Sequence, residues 1–178
     1  MKKKVIFTML LCILALSCAY AGKTSFVAQI SPYSLQTVSL SGNTQVSSYG
    51  YGFKGGLRYD VRSDINLGFD VELGVFKYDG LESDLDTVSF RLLFGYRYTF
   101  NPSIYLQSEF GLSLDKKQTS EASIKSVGLN MYLGCGYVIS EQLTATVGTD
   151  IGAGFQKNHN DIASSFLLRT KLGVVVAL

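Results

Sequence analysis

Residues 49–61 read Tyr-Gly-Tyr-Gly-Phe-Lys-Gly-Gly-Leu-Arg-Tyr-Asp-Val, and two kinds of side chain alternate along this stretch. Every odd-numbered position except Gly55 is aromatic or aliphatic, whereas every even-numbered position is glycine or charged. Successive side chains of a β-strand point to opposite faces of the sheet. The period of two therefore predicts a strand with one apolar face and one face of glycine and charge.

The same alternation recurs along the rest of the chain and predicts seven further strands. Their cores lie at residues 24–30, 65–75, 88–100, 104–114, 127–139, 143–155 and 166–178. Tight turns at Ser63-Asp64, Asn101-Pro102 and Ser140-Glu141 alternate with longer polar stretches at 31–48, 77–86, 115–125 and 156–163. Pro32 marks the point where we expect the first strand to leave the sheet. Strands joined alternately by tight turns and by longer stretches predict an all-β, eight-stranded antiparallel up-and-down barrel with long loops at one end.

Two opposite kinds of barrel fit such an alternation, because the apolar face can point inward or outward. A soluble lipocalin-like barrel buries its apolar face, whereas a membrane barrel turns that face to lipid. Fourteen of the 18 glycines lie on the charged face, and only Gly55 lies on the apolar face. The narrow interior of eight strands needs small residues beside its large ones and would be overfilled by the aromatic face. The distribution of glycine therefore predicts a transmembrane β-barrel with its apolar face outward.

Aromatic residues on the outward face collect near the strand ends, as in the interfacial girdles of membrane barrels. They are Tyr59, Tyr98, Phe100 and Tyr137 toward the tight turns, and Tyr51, Phe90, Phe155 and Phe166 toward the long loops. Ordinary β-propensity of aromatic residues also produces some of this clustering.

The N-terminus has the pattern of a secretory signal peptide. Three lysines precede an apolar run over 5–17, and Ala19-Tyr20-Ala21 predicts cleavage before Gly22, so that residues 22–178 form the mature domain. An uncleaved anchor helix and lipidation of Cys18, which follows a loose lipobox, are the alternatives. Cleavage changes the formal net charge from +2 to −1, because three lysines and no acid are removed. The mature protein therefore has no basic excess that would indicate nucleic acid as a partner.

With eight strands and an outward apolar face, the chain resembles the small eight-stranded outer-membrane barrels, a group that includes OmpX, the transmembrane part of OmpA and OmpW-like proteins. The last strand carries Lys171-x-Gly173-x-x-Val176-x-Leu178, which is similar to the C-terminal signal that the barrel assembly machinery reads in this class. Leu178 stands where an aromatic residue is usual. The resemblance implies a bacterial outer-membrane location, contact with outer-membrane lipid, and a monomer.

Charged residues on the inward face must be paired, because an isolated buried charge is costly. We predict a lumenal ion-pair network that involves Arg58, Asp70, Glu72, Arg91, Glu109 and Arg169, with Arg58 next to Asp70 and the others grouped around mid-strand. We expect the network to fill the lumen and fix the strand register. A gated ion path, which the resemblance to OmpA-like barrels suggests, is the alternative.

The sequence predicts a non-enzymatic protein with a structural or adhesin-like role. We expect a hairpin at Ser41-Gly42-Asn43-Thr44 in the longest loop to contact a host or matrix protein. A narrow channel for small hydrophobic or ionic solutes is the second hypothesis. A lipid-modifying enzyme built on His159 with Ser164 or Ser165 is the third. No catalytic, cofactor or metal site is predicted, because the single histidine and Cys135 lie far apart in the sequence.

Overall fold

The eight predicted strands close into one antiparallel barrel in which each strand pairs with its sequence neighbours and β1 pairs with β8. The computed structural model describes residues 24–39, 45–78, 84–118, 123–158 and 161–178. The strands are β1 Thr24–Ser39, β2 Gln45–Asp60, β3 Ile65–Tyr78, β4 Leu85–Asn101, β5 Ile104–Gln118, β6 Ser123–Val138, β7 Leu143–Asn158 and β8 Asp161–Ala177. This topology confirms the predicted fold class. No helix in these ranges is long and apolar enough to span a bilayer.

The strands extend much further toward the loop end than the alternation predicted. Most residues of the polar stretches 31–48, 115–125 and 156–163 belong to paired strands, so the prediction of these stretches as long loops was wrong. In the stretch 77–86, strands include residues 77–78 and 85–86. Polar side chains can occupy both faces of a strand once it has left the bilayer, and this removes the period of two from the sequence. The predicted signal peptide and the hairpin at Ser41–Thr44 lie outside the described residues.

Strand β1 continues past Pro32, where the sequence predicted that it would end. The pairing with β2 shifts between Ser31 and Ser34, and the pairing with β8 shifts between Ile30 and Ser34. A bulge at this point accommodates Pro32, which has no N–H to donate to the ladder. The bulge changes the phase of the alternation. Inward residues are odd-numbered from Ser25 to Ser31 and even-numbered from Ser34 to Val38.

Solvent exposure confirms that the apolar face points outward. The most exposed large hydrophobic residues are Phe155 at 68%, and Leu92 and Leu129 at 65%, all at outward strand positions. The buried residues are mostly polar or charged, and they include Arg58, Asp70 and Glu72. A soluble protein shows the reverse distribution, because it buries its apolar side chains.

The strands are longer than a bilayer requires. Strands of 14–17 residues are about 46–56 Å long at roughly 3.3 Å per residue. At a tilt of about 40° they rise about 35–43 Å, whereas the apolar band of a membrane barrel is about 25 Å tall. The excess lies at the loop end, where outward positions become polar. Examples are Lys77, Asp86, Lys116 and Lys125, all of which are exposed.

Candidate functional site

Nine buried charged side chains in the lumen form two adjacent ion-pair clusters, and a tenth, Lys117, is buried further toward the loop end. Each of the nine is 4% exposed or less. The Asp70 cluster consists of Lys54, Arg58, Asp70 and Glu109, and the Glu72 cluster consists of Glu72, Arg91, Asp150, Arg169 and Lys171. Burial at this level removes the screening that makes surface ion pairs weak.

In the Asp70 cluster, Arg58 bridges two carboxylates that lie on different strands. Its Nη1 and Nη2 atoms donate to the two Asp70 oxygens at 2.5 and 3.0 Å. Its Nε and Nη2 atoms donate to the Glu109 oxygens at 2.5 and 2.8 Å. Lys54 Nζ lies 3.1 Å from Asp70 Oδ2. Two acids and two bases give this cluster no formal net charge, and both carboxylates receive bidentate bonds, the strongest arrangement for an arginine.

In the Glu72 cluster, one carboxylate accepts hydrogen bonds from three cations. Glu72 Oε2 accepts hydrogen bonds from Arg91 and Arg169, each at 2.7 Å, and Oε1 accepts one from Lys171 at 2.5 Å. Arg91 also pairs with Asp150 on the far side of the lumen. Three bases and two acids leave this cluster with a formal charge of +1. Glu72 therefore contributes most to the charge balance of the cluster, because all three cations of the cluster donate to it.

The structure brings the six predicted network residues into the lumen, but it distributes them differently from the prediction. The prediction grouped Glu109 with Glu72 and Arg91, whereas the structure pairs it with Arg58. Arg58 reaches Glu109 across the lumen from β2 to β5, which the register of neighbouring strands cannot reveal. Lys54, which the predicted network did not include, is 2% exposed and belongs to the Asp70 cluster.

Asp150 and Lys171 are members of the network that sequence reasoning missed. Asp150 lies directly opposite Arg169 in the β7–β8 register, and Lys171 lies two residues further along β8. The connection between β7 and β8 falls in the polar stretch 156–163, for which the sequence predicted no tight turn from which this register could be counted. Lys171 was assigned to the assembly signal and was not included in the predicted network, yet its side chain is fully buried against Glu72.

The inward glycines create the space that the large charged and aromatic side chains occupy. A Cβ at Gly68 would lie 2.7 Å from Cδ of Arg58, and one at Gly56 would overlap the Asp70 carboxylate. A Cβ at Gly136 would fall on the Tyr105 ring. The glycine pattern that indicated which face is inside thus has a direct steric cause, because small residues lie beside each bulky one.

Further buried side chains lie in the lumen on both sides of the two clusters. Toward the loop end they include an apolar layer of Val38, Phe76, Leu85 and Ala163, and also the cation Lys117. The Arg169 guanidinium lies 5.7 Å from the centre of the Phe76 ring, so this apolar layer packs directly on the Glu72 cluster. Toward the turn end, Tyr132 and Tyr105 are each 5% exposed. Lys54 Nζ lies 5.3 Å from the Tyr132 ring centre, so the tyrosines pack directly on the Asp70 cluster.

Below Tyr105 the lumen opens into a shallow vestibule at the turn end. Its volume is about 320 Å³, and its lining includes Asp60, Arg97 and Glu141. The Arg97 guanidinium lies 4.6 Å from the Tyr105 ring centre, so the arginine packs over the floor of the vestibule. The vestibule therefore ends at the tyrosine layer.

The described residues offer little for catalysis or metal binding. Among them, no three His, Cys, Asp or Glu residues are arranged to hold a metal ion. Ser164 is exposed on the outer face, and Ser165 donates to the Gly154 carbonyl at 3.3 Å. His159 lies outside the described residues, so its pairing with either serine stays a hypothesis.

The predicted assembly signal divides between the two faces of β8. Lys171 and Gly173 face the lumen, whereas Val176 is outward and Leu178 is 39% exposed at the end of the strand. Recognition of this motif by the assembly machinery stays a prediction.

An apolar outer face around a charged and filled interior defines the class of small integral barrels of the bacterial outer membrane. The chain belongs to the family described as outer membrane protein beta-barrel domain, which matches residues 7–170. The family resemblance deduced from the alternation is therefore confirmed. No curated protein sequence gives a match.

Solved structures of similar shape include two natural bacterial barrels and a designed one. The crystal structure of Neisserial surface protein A (NspA) has a TM-score of 0.66 at 17% identity, covering 87% of this chain and 97% of that chain. Ail, the attachment invasion locus protein of Yersinia pestis, has a TM-score of 0.43 at 14% identity, covering 85% and 99%. A de novo designed transmembrane β-barrel has a TM-score of 0.43 at 17% identity, covering 88% and 96%. At this identity the similarity to NspA shows a shared fold.

Proposed function

We propose that this protein is a non-enzymatic outer-membrane barrel that acts through its loop end, as a surface-interaction protein, and not through its lumen. The observation that carries the proposal is the filled interior. Two ion-pair clusters occupy the lumen, with Phe76 and Leu85 packed on one side and Tyr105 and Tyr132 on the other. An eight-stranded barrel is just wide enough for its side chains to fill. The surface left for function is the part that projects from the membrane.

The projecting part is a collar of paired strands that supports the loops. Long loops of such barrels face the outside of the cell, and short turns face the periplasm. At the loop end β1 and β2 remain paired up to Ser39 and Gln45, and β5 and β6 up to Gln118 and Ser123. Binding residues are often carried by loops on a rigid scaffold. A host or matrix protein is the partner that this arrangement fits.

Replacing residues 40–44 by a Gly/Ser segment of equal length should reduce binding of expressing cells to matrix-coated surfaces to the level of cells without the protein. The substitution ends at Ser39 and resumes at Gln45 because both belong to strands. A wider deletion over 36–46 would remove the buried Gln36 and Val38 and damage the barrel itself. Cell adherence, measured at equal surface amounts of folded protein, is the readout.

A matched control replaces residues 139–142 at the opposite end of the barrel by a Gly/Ser segment of equal length. This turn faces the periplasm in the proposed orientation, so cell adherence should not change. Undiminished adherence of the 40–44 variant would show that this loop is not the binding element. Loss of adherence in both variants would indicate general damage to the barrel and would contradict the proposal.

The second hypothesis, a narrow channel, makes a different prediction for the same protein. Purified barrel in planar bilayers should give no unit conductance above that of protein-free bilayers, because buried side chains fill the narrow interior of an eight-stranded barrel. Substitution of Arg91 by glutamine should also leave the recording at baseline. Discrete openings of the wild-type protein that the Arg91→Gln substitution alters would favour the channel.

A further inference from the structure

Lysines occupy three directly opposed positions on neighbouring strands at the loop end of the barrel. Lys116 of β5 lies directly opposite Lys125 of β6, which lies directly opposite Lys157 of β7. The side chains of Lys116 and Lys125 are exposed, and both residues alternate in phase with the lipid-facing positions of their strands. We call Lys116 and Lys125, whose side chains face outward, the lysine row.

The lysine row lies at the border between the apolar band and the polar collar. The next outward position toward the membrane is Leu114 on β5, Val127 on β6 and Phe155 on β7. These three side chains are 60%, 55% and 68% exposed and belong to the lipid-facing surface. The lysines therefore lie at the height where the acyl chains of the outer leaflet end and the headgroups begin.

This arrangement is unfavourable for the protein alone. Like charges directly opposite each other on neighbouring strands destabilise a sheet. Lys116 Nζ donates to Gln118 Oε1 at 3.0 Å, which is a neutral partner. In the described ranges neither Lys116 nor Lys125 has a carboxylate within 4.0 Å. Asp115 faces inward, where Ser113 and Ser126 donate to it.

We propose that the lysine row binds the phosphate groups of a phosphorylated glycolipid in the outer leaflet. The acyl chains of the lipid would pack over Leu114, Val127 and Phe155, and its phosphates would offset the repulsion between the lysines. Lysine side chains next to an anionic leaflet are attracted strongly, and the attraction adds up along a cluster. This lipid site is independent of the loop surface proposed above, because it lies on the outer wall of β5–β7.

The test compares the wild-type protein with Lys116→Gln/Lys125→Gln in phosphatidylcholine vesicles, alone or with added bis-phosphorylated or dephosphorylated lipid A. The readout is the temperature at which half of the protein loses its folded gel mobility. Bis-phosphorylated lipid A should raise this temperature for the wild type, and the dephosphorylated form should not. The mole fraction of lipid A that gives half of the effect should rise by about 25-fold in the double variant, on the order of fivefold per lysine.

Two control variants separate phosphate binding from a general effect of charge. Lys77→Gln removes an exposed lysine at the same end of β3, which has Asp84 at 4.0 Å, and should respond to lipid A like the wild type. Lys116→Arg/Lys125→Arg keeps both charges and should retain the response. In phosphatidylcholine alone the double glutamine variant should be at least as stable as the wild type, since it relieves repulsion.

Three results would overturn the proposal. The first is an unchanged response of the double glutamine variant to lipid A, and the second is an equal response of the wild type to dephosphorylated lipid A. The third is equal stabilisation of the wild type by soluble inorganic phosphate in phosphatidylcholine vesicles. This last result would indicate a site for a free anion and not for a membrane lipid.

Discussion

Replacing Glu72 by glutamine should destabilise the folded barrel by about 3–5 kcal/mol, because the substitution breaks a buried ion-pair cluster at its centre. Arg91, Arg169 and Lys171 all donate to this carboxylate. Without its charge, three buried cations share the single carboxylate of Asp150, and the formal charge of the cluster rises from +1 to +2. Urea unfolding of the barrel in vesicles, followed by gel mobility, measures the loss of stability.

The matched control for this prediction is Asp64→Asn, which also converts a carboxylate to an amide. Asp64 pairs with Arg62 at 3.3 Å in a turn, where the two side chains are 30% and 69% exposed. A partly exposed surface pair of this kind contributes about 0–1 kcal/mol. Equal unfolding midpoints for the two variants would show that the buried cluster does not stabilise the barrel.

The loss of stability caused by Glu72→Gln should also depend little on salt concentration. This independence from salt distinguishes a buried cluster from one at the surface. Salt screens charges that solvent can reach, and the screening length is about 8 Å at physiological ionic strength. Glu72 is 2% exposed and its three partners are 4% exposed or less. We therefore expect the difference between the wild type and Glu72→Gln to be the same at 0.05 and 0.5 M salt, within about 0.5 kcal/mol.

The membrane-spanning part of the fold could be predicted from the sequence because both of its faces are constrained. Lipid excludes charge from positions such as Leu92, and the crowded lumen requires glycine at positions such as Gly56 and Gly68. These two requirements produce the period of two. Beyond the bilayer neither requirement holds, so residues 31–39 of β1 and 45–48 of β2 could not be distinguished from a loop.

The lumenal site could be predicted only in part, for a geometric reason. Sequence patterns give the face and the approximate height of each residue, which is enough to place Arg58 beside Asp70. They do not say how far a side chain extends across the barrel. The bonds from Arg58 to Glu109 and from Arg91 to Asp150 join residues on strands that are not neighbours. Finding them requires the closed shape of the barrel.

The bulge at Pro32 shows a second limit of pattern reading. A proline that follows an alternating stretch usually ends a strand or marks its edge. Here the strand continues, because Ser34 resumes pairing with both neighbours after the shift. A closed barrel has no free edge along which a strand can leave without exposing unpaired backbone groups to lipid, so a bulge is the favoured solution.

Two adjacent glycines in β2 provide the sharpest test of which face is inside. We expect Gly56→Val to destabilise the barrel by about 3–5 kcal/mol, because a Cβ at this position would displace the Asp70 carboxylate from Arg58 and Lys54 and break a buried cluster. Gly55→Val should leave stability unchanged or raise it by up to about 1 kcal/mol, because glycine is the least favourable strand residue. The atoms nearest to a Cβ at Gly55 lie 3.8 Å away in Phe53 and 3.9 Å away in Phe26.

The same urea unfolding experiment measures both glycine variants, so that each serves as the control for the other. They add the same side chain to neighbouring residues of one strand, and they differ only in the face on which the side chain lies. A barrel with the opposite orientation would tolerate valine at 56 and reject it at 55. Equal costs at the two positions would contradict the steric role of the inward glycines. A large cost at 56 alone would show that the lumenal clusters depend on the space that these glycines leave.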